Sequence, residues 1–309
     1  MKTGKAFEIF VKRILINVGF FEVKSDGVYV FDAAPGQMIQ GLGEAHNADV
    51  LLEPPVQTPF FYKTRVLIEC KDYGQKVGLG IVRSMLGLRE DINHLELVDV
   101  KKLIERKNQR RKGIINTYER YSYQVAIGSF AGYTVQAQNF AATHRIPLIE
   151  FDKMLFWEDF QEILQDISQD SQLKDTEKEE CIIKLADDIG EKMAVAITNS
   201  GQILFLYREL GQKNNFSDDY QLYWVNEQLP WKLISGDCQY VFQLPECVLK
   251  QWLDNVSDEF DKRKEAIYCK AEHMSSMIVY YKEHNRSTIK MISINKHGLE
   301  EAKRSMKIT

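Results

Sequence analysis

Three charged side chains stand in two runs that are otherwise apolar. Asp49 begins the first run, and Glu69 and Lys71 close the second. Alternate side chains of a strand face the same way, so Glu69 and Lys71 are expected on one face of a sheet and Cys70 on the other. If the two runs pair as neighbouring strands, Asp49 approaches Glu69. The sequence therefore predicts two carboxylates and one ammonium group at a shared strand edge.

This combination of groups indicates a chemistry. Two carboxylates held close together raise each other's pKa. A divalent cation removes that conflict, and Mg²⁺ takes hard oxygen ligands while keeping waters for a phosphate-bearing substrate. The ammonium of Lys71 would hold the attacking water or help to deprotonate it, and would offset charge developing on the phosphorane. The residues thus favour phosphodiester cleavage with Mg²⁺, or with Mn²⁺ in its place.

The spacing of these residues does not identify a site by itself. The pattern acid-x-Lys occurs five times in the chain. The occurrence at Glu69 and Lys71 differs from the others because it ends an apolar run and because Asp49 begins an earlier one. A salt-bridged pair at a strand end, with no chemistry, fits the same residues. Both interpretations stay open at this level.

The surrounding pattern predicts the elements that would position the three side chains. Apolar residues recur at helical spacing in 4–20, which predicts an amphipathic helix packed on a core. The glycine-rich stretch 36–47 is expected to be a loop. Strands are predicted next, and they alternate with helices, which indicates an α/β layer. The predicted strands lie near 48–53, 64–71, 121–130 and 147–151, and the predicted helices near 77–95 and 131–146.

Length and composition shifts indicate two domains. The 309 residues are enough for two cores of ordinary size. The α/β pattern fills 1–157, and the segment 158–190 is expected to be a charged helical linker. Short aromatic-rich strands then predict an α+β domain over 191–309. Its aromatic side chains are expected to form a core, with a recognition surface for a partner protein or a ligand as the alternative.

Composition narrows the classes of protein further. The chain is 44% hydrophobic and 27% charged, as in folded proteins. No apolar run reaches the roughly 20 residues of a membrane helix, and the first residues lack a signal-peptide pattern. The five cysteines form no CxxC pair and are expected to be reduced thiols. These features predict a cytoplasmic protein that makes no membrane contact.

Positive charge is concentrated in the first part of the chain. The net charge is −4 overall, but residues 1–150 carry +4 and residues 151–309 carry −8. The segment 101–113 holds seven basic residues against one acid. It would grip a nucleic-acid backbone through salt-sensitive contacts, or it is a solvated charged loop. The candidate contacts are Lys101, Lys102, Arg106, Lys107, Arg110, Arg111 and Lys112.

Several of these features, in this order, resemble a known family. The acids and the lysine at positions 49, 69 and 71 are similar to the signature of the PD-(D/E)XK nucleases. The opening helix, the stretch GLGEAHNAD and the later strand-helix-strand are similar to the Mrr-like restriction endonuclease branch. The resemblance covers about residues 4–152. It implies a restriction-endonuclease-like αβββαβ core, followed here by the second α+β domain.

The resemblance also implies roles for single residues. Asp49 and Glu69 become metal ligands, and Lys71 becomes the lysine of the site. Glu8 matches a first-helix glutamate that supports the metal or its water, and a solvated helix residue is the alternative. His46 stands where related nucleases carry histidines, so it would orient Asp49 or touch a phosphate, and a loop histidine with a purely structural role is the alternative. The proline of the family name is absent here, since Asn47 and Ala48 precede Asp49.

The implied function is metal-dependent cleavage of DNA, in host defence such as restriction or anti-phage activity. The second domain would restrain cleavage until it meets a ligand or a partner protein. A homodimer would suit double-strand cutting, because each site attacks one strand. The alternative class is a catalytically silent nucleic-acid-binding or scaffold protein with a nuclease fold. An enzyme acting on RNA or branched DNA is the third reading.

Overall fold

The structure, a computed structural model, has a mixed α/β fold in which helices cover several β-sheets. This confirms the fold class predicted from the sequence. Helices and strands alternate in the first part of the chain, and the second part is built on an antiparallel sheet. The residues described are 2–34, 36–57, 62–95, 100–108, 120–169, 172–217, 220–225, 231–253, 256–283, 286–293 and 296–305.

The first part of the chain begins with a helix and ends with a short strand. Its elements are α1 (Thr3–Val18), β1 (Phe21–Glu22), β2 (Val30–Ala33), β3 (Gly36–Gln40), β4 (Ala45–Asn47), β5 (Val50–Glu53), β6 (Lys63–Lys71), α2 (Leu79–His94), α3 (Val100–Asn108), β7 (Tyr121–Ser129), α4 (Val135–His144), β8 (Leu148–Glu150) and a short 3-10 helix (Phe151–Lys153).

Two helices lead into the second part of the chain, and further helices follow its strands. The elements are α5 (Trp157–Gln169), α6 (Asp175–Gly190), β9 (Met193–Thr198), β10 (Ile203–Leu210), β11 (Tyr220–Tyr223), β12 (Trp231–Ser235), β13 (Cys238–Phe242), α7 (Glu246–Leu253), α8 (Glu259–His273), β14 (Ser276–Glu283), β15 (Arg286–Ser293) and α9 (Lys296–Ser305).

The first sheet has the strand order β1-β5-β6-β7-β8. The strand β6 runs antiparallel to β5 and parallel to β7. Its side chains alternate between two cores, because Ile68 packs with the α1 side and Leu67 packs with the α2 and α4 side. Along the chain, α1, then β1, β5 and β6, then α2 and β7 follow the αβββαβ order, with β2, β3, β4 and α3 inserted.

The inserted strands correct one expectation. The stretch 36–47 was expected to be a loop because of its glycines, but β3 and β4 pair there with β2 in a small antiparallel sheet. The expectation was wrong because one apolar position decides the outcome. Ile39 is only 1% exposed, and it packs with Val30 and Leu51 in the core beneath α2.

The helix α1 confirms the predicted amphipathic pattern. Its buried residues recur at helical spacing: Ala6, Phe7, Phe10, Val11, Ile14, Leu15 and Val18. The helix ends at Gly19, whose φ of 118° is a left-handed conformation that favours glycine. A Cβ at this position would also lie 2.7 Å from the Ser287 hydroxyl oxygen on β15. The close approach of β15 therefore adds a second constraint at the same residue.

The second sheet has the strand order β11-β12-β13-β10-β9-β14-β15 and is antiparallel throughout. The strands β9 and β10 form a hairpin around residues 199–201. Trp231, Tyr240 and Phe242 are buried in its core, as expected for aromatic residues of this half. The helix α8 was not predicted, because its buried positions are few in a strongly charged sequence.

The segment 158–190 consists almost entirely of α5 and α6. Their residues Phe160, Ile182 and Ala186 are buried in a core that also contains Phe10 of α1 and Val195 of β9. The predicted linker is thus helical, and α6 packs against α1 and β9. The domain boundaries at 157 and 190 stay predictions.

Two smaller expectations concern membranes and cysteines. None of the helices in the described ranges is both long and apolar enough to cross a membrane. Four cysteines have described side chains, and all four are free thiols: Cys70, Cys181, Cys238 and Cys269.

Candidate active site

The strands β5 and β6 bring the predicted residues to one edge of the first sheet. Asp49 immediately precedes β5, and Glu69 and Lys71 lie at the end of β6. Leu51 pairs with Leu67 in the antiparallel register, so continuing that register by two residues places Asp49 opposite Glu69. The sequence therefore brings these side chains together through strand pairing alone.

Both carboxylate oxygens of Asp49 are held by hydrogen bonds. The backbone N–H of Cys70 donates to Oδ2 at 2.9 Å. The side-chain amide of Asn47 donates to Oδ1 at 3.1 Å. A carboxylate held from two directions is oriented before any ligand arrives. Asn47 was not among the predicted site residues, although its place two positions before Asp49 is a signal that could have identified it.

Glu69 and Lys71 form a close ion pair on the same face of β6. The Lys71 ammonium lies 2.5 Å from Glu69 Oε1, and each side chain is 18% exposed. Burial raises the pKa of Glu69, the charge of Asp49 raises it further, and Glu8 adds a smaller contribution. The hydrogen bond from Lys71 opposes this rise without cancelling it. The acids at this edge therefore outnumber the cation that faces them.

The ion pair also affects the lysine. Burial lowers the pKa of Lys71, but the hydrogen bond and charge of Glu69 outweigh it, so the net direction is upward. Lys71 therefore carries its positive charge at neutral pH. In this arrangement it can stabilise negative charge and orient a water molecule, whereas it is a poor proton acceptor.

Glu8 reaches the same region from α1. Its Oε2 accepts a hydrogen bond from the Lys5 ammonium at 3.0 Å, and its side chain is 24% exposed. Glu8 and Asp49 line one cleft, whose volume is about 520 Å³. Of the four predicted residues, Glu8 and Asp49 line this cleft, whereas Glu69 and Lys71 are not among its lining residues.

The same face of α1 carries the basic residues of the cleft. Lys5, Lys12 and Arg13 line it together with Glu8. Positions 5, 8 and 12 are three and four residues apart, so they share a helix face, and this spacing could have been used to group them. Lys12 pairs with Glu22, which also lines the cleft. The cleft therefore combines cations and carboxylates rather than presenting a purely basic wall.

His46 lies elsewhere. Its Nε2 is 2.7 Å from Asp91 Oδ2 on α2, and the backbone N–H of Gly43 donates to the other oxygen of Asp91 at 2.8 Å. The hydrogen bond to His46 holds the pKa of Asp91 below its usual range. His46 therefore fastens the small sheet to α2, and the orientation of Asp49 that was expected of it falls to Asn47.

The basic segment is described only in part. Residues up to 108 belong to α3, where the Lys101 and Lys107 side chains are exposed. Arg110, Arg111 and Lys112 lie outside the described residues, as do the side chains of Lys102 and Arg106. The predicted backbone-gripping arm stays a prediction.

The carboxylates at this edge can be compared with the ligands that the predicted metal ion requires. Within the described ranges, no group of three or more His, Cys, Asp or Glu side chains is arranged to hold a metal ion. The charges nevertheless fit one, because Asp49 and Glu8 both raise the pKa of Glu69 and a cation would relieve that repulsion. Every one of these donors is a carboxylate oxygen, which suits Mg²⁺ or Mn²⁺.

Fold and site together define a mixed α/β protein with an acidic cluster and one lysine at the edge of its first sheet. No protein-family model matches the chain, and no curated protein matches it either. A crystal structure described as a protein of unknown function, AF1548, is similar at 16% sequence identity, covering 60% of this chain and 98% of that one. Its TM-score of 0.32 is too low to carry an argument.

Proposed function

We propose that the protein is a Mg²⁺-dependent deoxyribonuclease of the PD-(D/E)XK class, from its Mrr-like branch. The observation that carries the proposal is the surplus of carboxylates around one lysine where β5 and β6 meet, with the pKa of Glu69 raised by burial and by Asp49. A role in host defence, the cytoplasm as its place of action and a homodimeric form belong to the same proposal by family analogy.

The side chains would divide the work of hydrolysis. Asp49 and Glu69 would hold Mg²⁺, or Mn²⁺ in its place, which when bound supplies Lewis-acid activation of phosphate and water. Asn47 and the Cys70 N–H fix the Asp49 carboxylate. Lys71, protonated, would orient the attacking water and offset the charge that develops on the phosphorane. Glu8, across the cleft, would accept a hydrogen bond from that water.

Plasmid cleavage tests the proposal. We expect purified protein to convert supercoiled DNA in Mg²⁺, and Lys71→Ala to reduce the rate by about 100-fold or more, the typical loss when a group that stabilises the transition state is removed. Lys63→Ala is the matched control, because Lys63 is an exposed lysine at the opposite end of the same strand. It should cleave like the wild type.

The rival function is nucleic-acid binding without cleavage. The closed ion pair between Glu69 and Lys71 favours it, because a pair that satisfies itself needs no substrate. Under this alternative the wild type and Lys71→Ala bind DNA equally, and neither cuts in Mg²⁺ or Mn²⁺. Equal cutting by both proteins would mean that the activity comes from outside this site.

A further inference from the structure

A second cavity lies where α1 and α6 meet the second sheet. Its volume is about 730 Å³, within the range of small-molecule sites. Its walls include Arg208 at the end of β10, Lys213 in the following turn and Lys282 on β14. Arg13 lines both this cavity and the cleft that contains Glu8 and Asp49, which is called the catalytic cleft below. The two are therefore neighbours.

We propose that this cavity binds a small phosphate-bearing molecule of the nucleotide class. The inference does not depend on nuclease activity, because it uses a different set of side chains. Among the described residues, Arg208, Lys213 and Lys282 have no carboxylate within ion-pair distance, although residues 151–309 carry a net charge of −8. Lys282 is close enough to Asp187 for its charge to lower the pKa of that acid, and the lining also includes Glu191. Four cations, Arg13 among them, therefore face two acids around one cavity, and this excess of positive charge in an otherwise acidic region favours an anionic ligand.

Arg208 is held in place by a neutral partner. Its Nη1 donates to the side-chain oxygen of Asn214 at 2.8 Å. Asn214 is only 5% exposed, and its amide nitrogen donates to the backbone oxygens of Met193 at 2.9 Å and Glu191 at 3.4 Å. The buried amide therefore fixes the guanidinium without neutralising it. The remaining N–H donors of such a group suit the paired oxygens of a phosphate.

Two acids line the cavity, and one of them, Asp187, is already paired with cations and amides, whereas Glu191 is exposed to solvent. Arg13 donates to both oxygens of Asp187, with Nε at 2.5 Å and Nη2 at 2.8 Å, and Asn17 donates to Oδ1 at 2.7 Å. A Cβ at Gly190 would lie 2.6 Å from the Cβ of Asn17, so α1 and α6 approach closely here. Asp187 thus holds Arg13 and Asn17 in place, and its paired charge would repel a bound anion only weakly.

The lining also limits the class of ligand. None of the described residues that line the cavity is aromatic, and the neutral polar groups among them are the amides of Asn17, Gln212 and Asn214. These described residues offer no ring on which a base could stack, so the phosphates are expected to make the main contacts. Free phosphate compounds and nucleotides share this chemistry, so the test includes both.

Calorimetric titration of the full chain in EDTA tests the site, because chelation removes metal-mediated phosphate binding at the catalytic cleft. The probes are ATP and inorganic pyrophosphate. We expect saturable one-to-one binding of ATP, and at least ten-fold weaker binding by the double variant Lys213→Gln/Lys282→Gln. Equal affinity for pyrophosphate would assign recognition to the phosphates alone, and tighter binding of ATP would add a nucleoside contact.

Three further variants make the test decisive. Lys184→Gln changes an exposed lysine on α6 that does not line the cavity, and it should bind like the wild type. Asp49→Asn should also bind normally, which separates this cavity from the catalytic cleft. Arg208→Lys should weaken binding through loss of the guanidinium fork; if it fails to fold by circular dichroism, the lysine variants decide. No binding at millimolar probe, or unchanged binding by the folded double variant, overturns the proposal.

Discussion

The two ends of β6 differ in how well their buried charges are matched by partners. At the first end, Arg65 is 4% exposed, donates to Glu53 at 2.9 Å and to the Tyr123 hydroxyl at 3.1 Å, and stacks 3.5 Å from the centre of the Tyr121 ring. At the other end, Lys71 faces Glu69 with Asp49 nearby. The buried cation of the first end is matched by its partners, whereas Lys71 at the second end faces an excess of acids.

The two ends also differ in the direction in which the pKa of a carboxyl group is shifted. Burial raises the pKa of Glu69, and Asp49 adds to it. Near the first end, burial also acts to raise the pKa of Asp26, but the N–H groups of Val30, Val28 and Tyr29 and the charge of Arg65 outweigh it, so that the net direction is downward. Charges that are matched by partners stabilise a fold, whereas an unbalanced buried acid destabilises it.

The largest effect on stability is expected from substituting Arg65, whose charge is matched by its partners. Arg65→Met should lower the free energy of unfolding by about 3 kcal/mol, because it strands the Glu53 carboxylate and removes the contacts to both tyrosines. Urea unfolding followed by circular dichroism measures the change. A loss below about 1 kcal/mol would contradict the structural role, since that is the value of an exposed pair.

The matched change at the other end is Glu69→Gln. It removes one of the repelling acids while keeping the shape of the side chain, so the unfolding free energy measured in EDTA should stay equal or rise. Cleavage should be lost. If Glu69→Gln destabilises the protein as much as Arg65→Met, the two ends are both structural and the contrast fails.

An intermediate effect is expected at Asn47. Removing its hydrogen bond to Asp49 in Asn47→Ala should raise the Mg²⁺ concentration for half-maximal cleavage by about 10-fold, the usual result of losing a group that orients a metal ligand. His46→Gln is the control from the same strand, because His46 contacts Asp91. Sensitivity of the Mg²⁺ requirement to His46 and not to Asn47 would reverse the assignment.

The smallest effect is expected from Asp26→Asn. The folded-state pKa of Asp26 is depressed below 3.8, so its carboxylate stabilises the fold above that pH, and this contribution is lost as pH falls through the folded pKa. The side chain is exposed, and solvent screening should keep the effect below about 1 kcal/mol at pH 7. Urea unfolding from pH 7 to pH 2.5 should show the wild type and the variant converging. A constant difference across that range would refute the linkage.

Local patterns in the sequence predicted the elements around the site. The apolar stripe of α1 and the runs that became β5, β6 and β7 are set by neighbouring residues, so their periodicity is visible in the chain itself. The two-residue spacing of Glu69 and Lys71 likewise predicted their common face. The small sheet at 36–47 was not predictable in this way, because its strands depend on burying Ile39 beneath a helix that lies far along the chain.

The sequence by itself determined which residue types are available at the strand edge and, through the period of two, which of them share a face. Tertiary structure decided their partners. Strand pairing places the Cys70 N–H within hydrogen-bond distance of Asp49, and the small sheet places Asn47 there as well. His46 instead forms its hydrogen bond with Asp91 on α2. These choices join residues distant in the chain, and their free energies depend on burial and geometry that no local pattern contains.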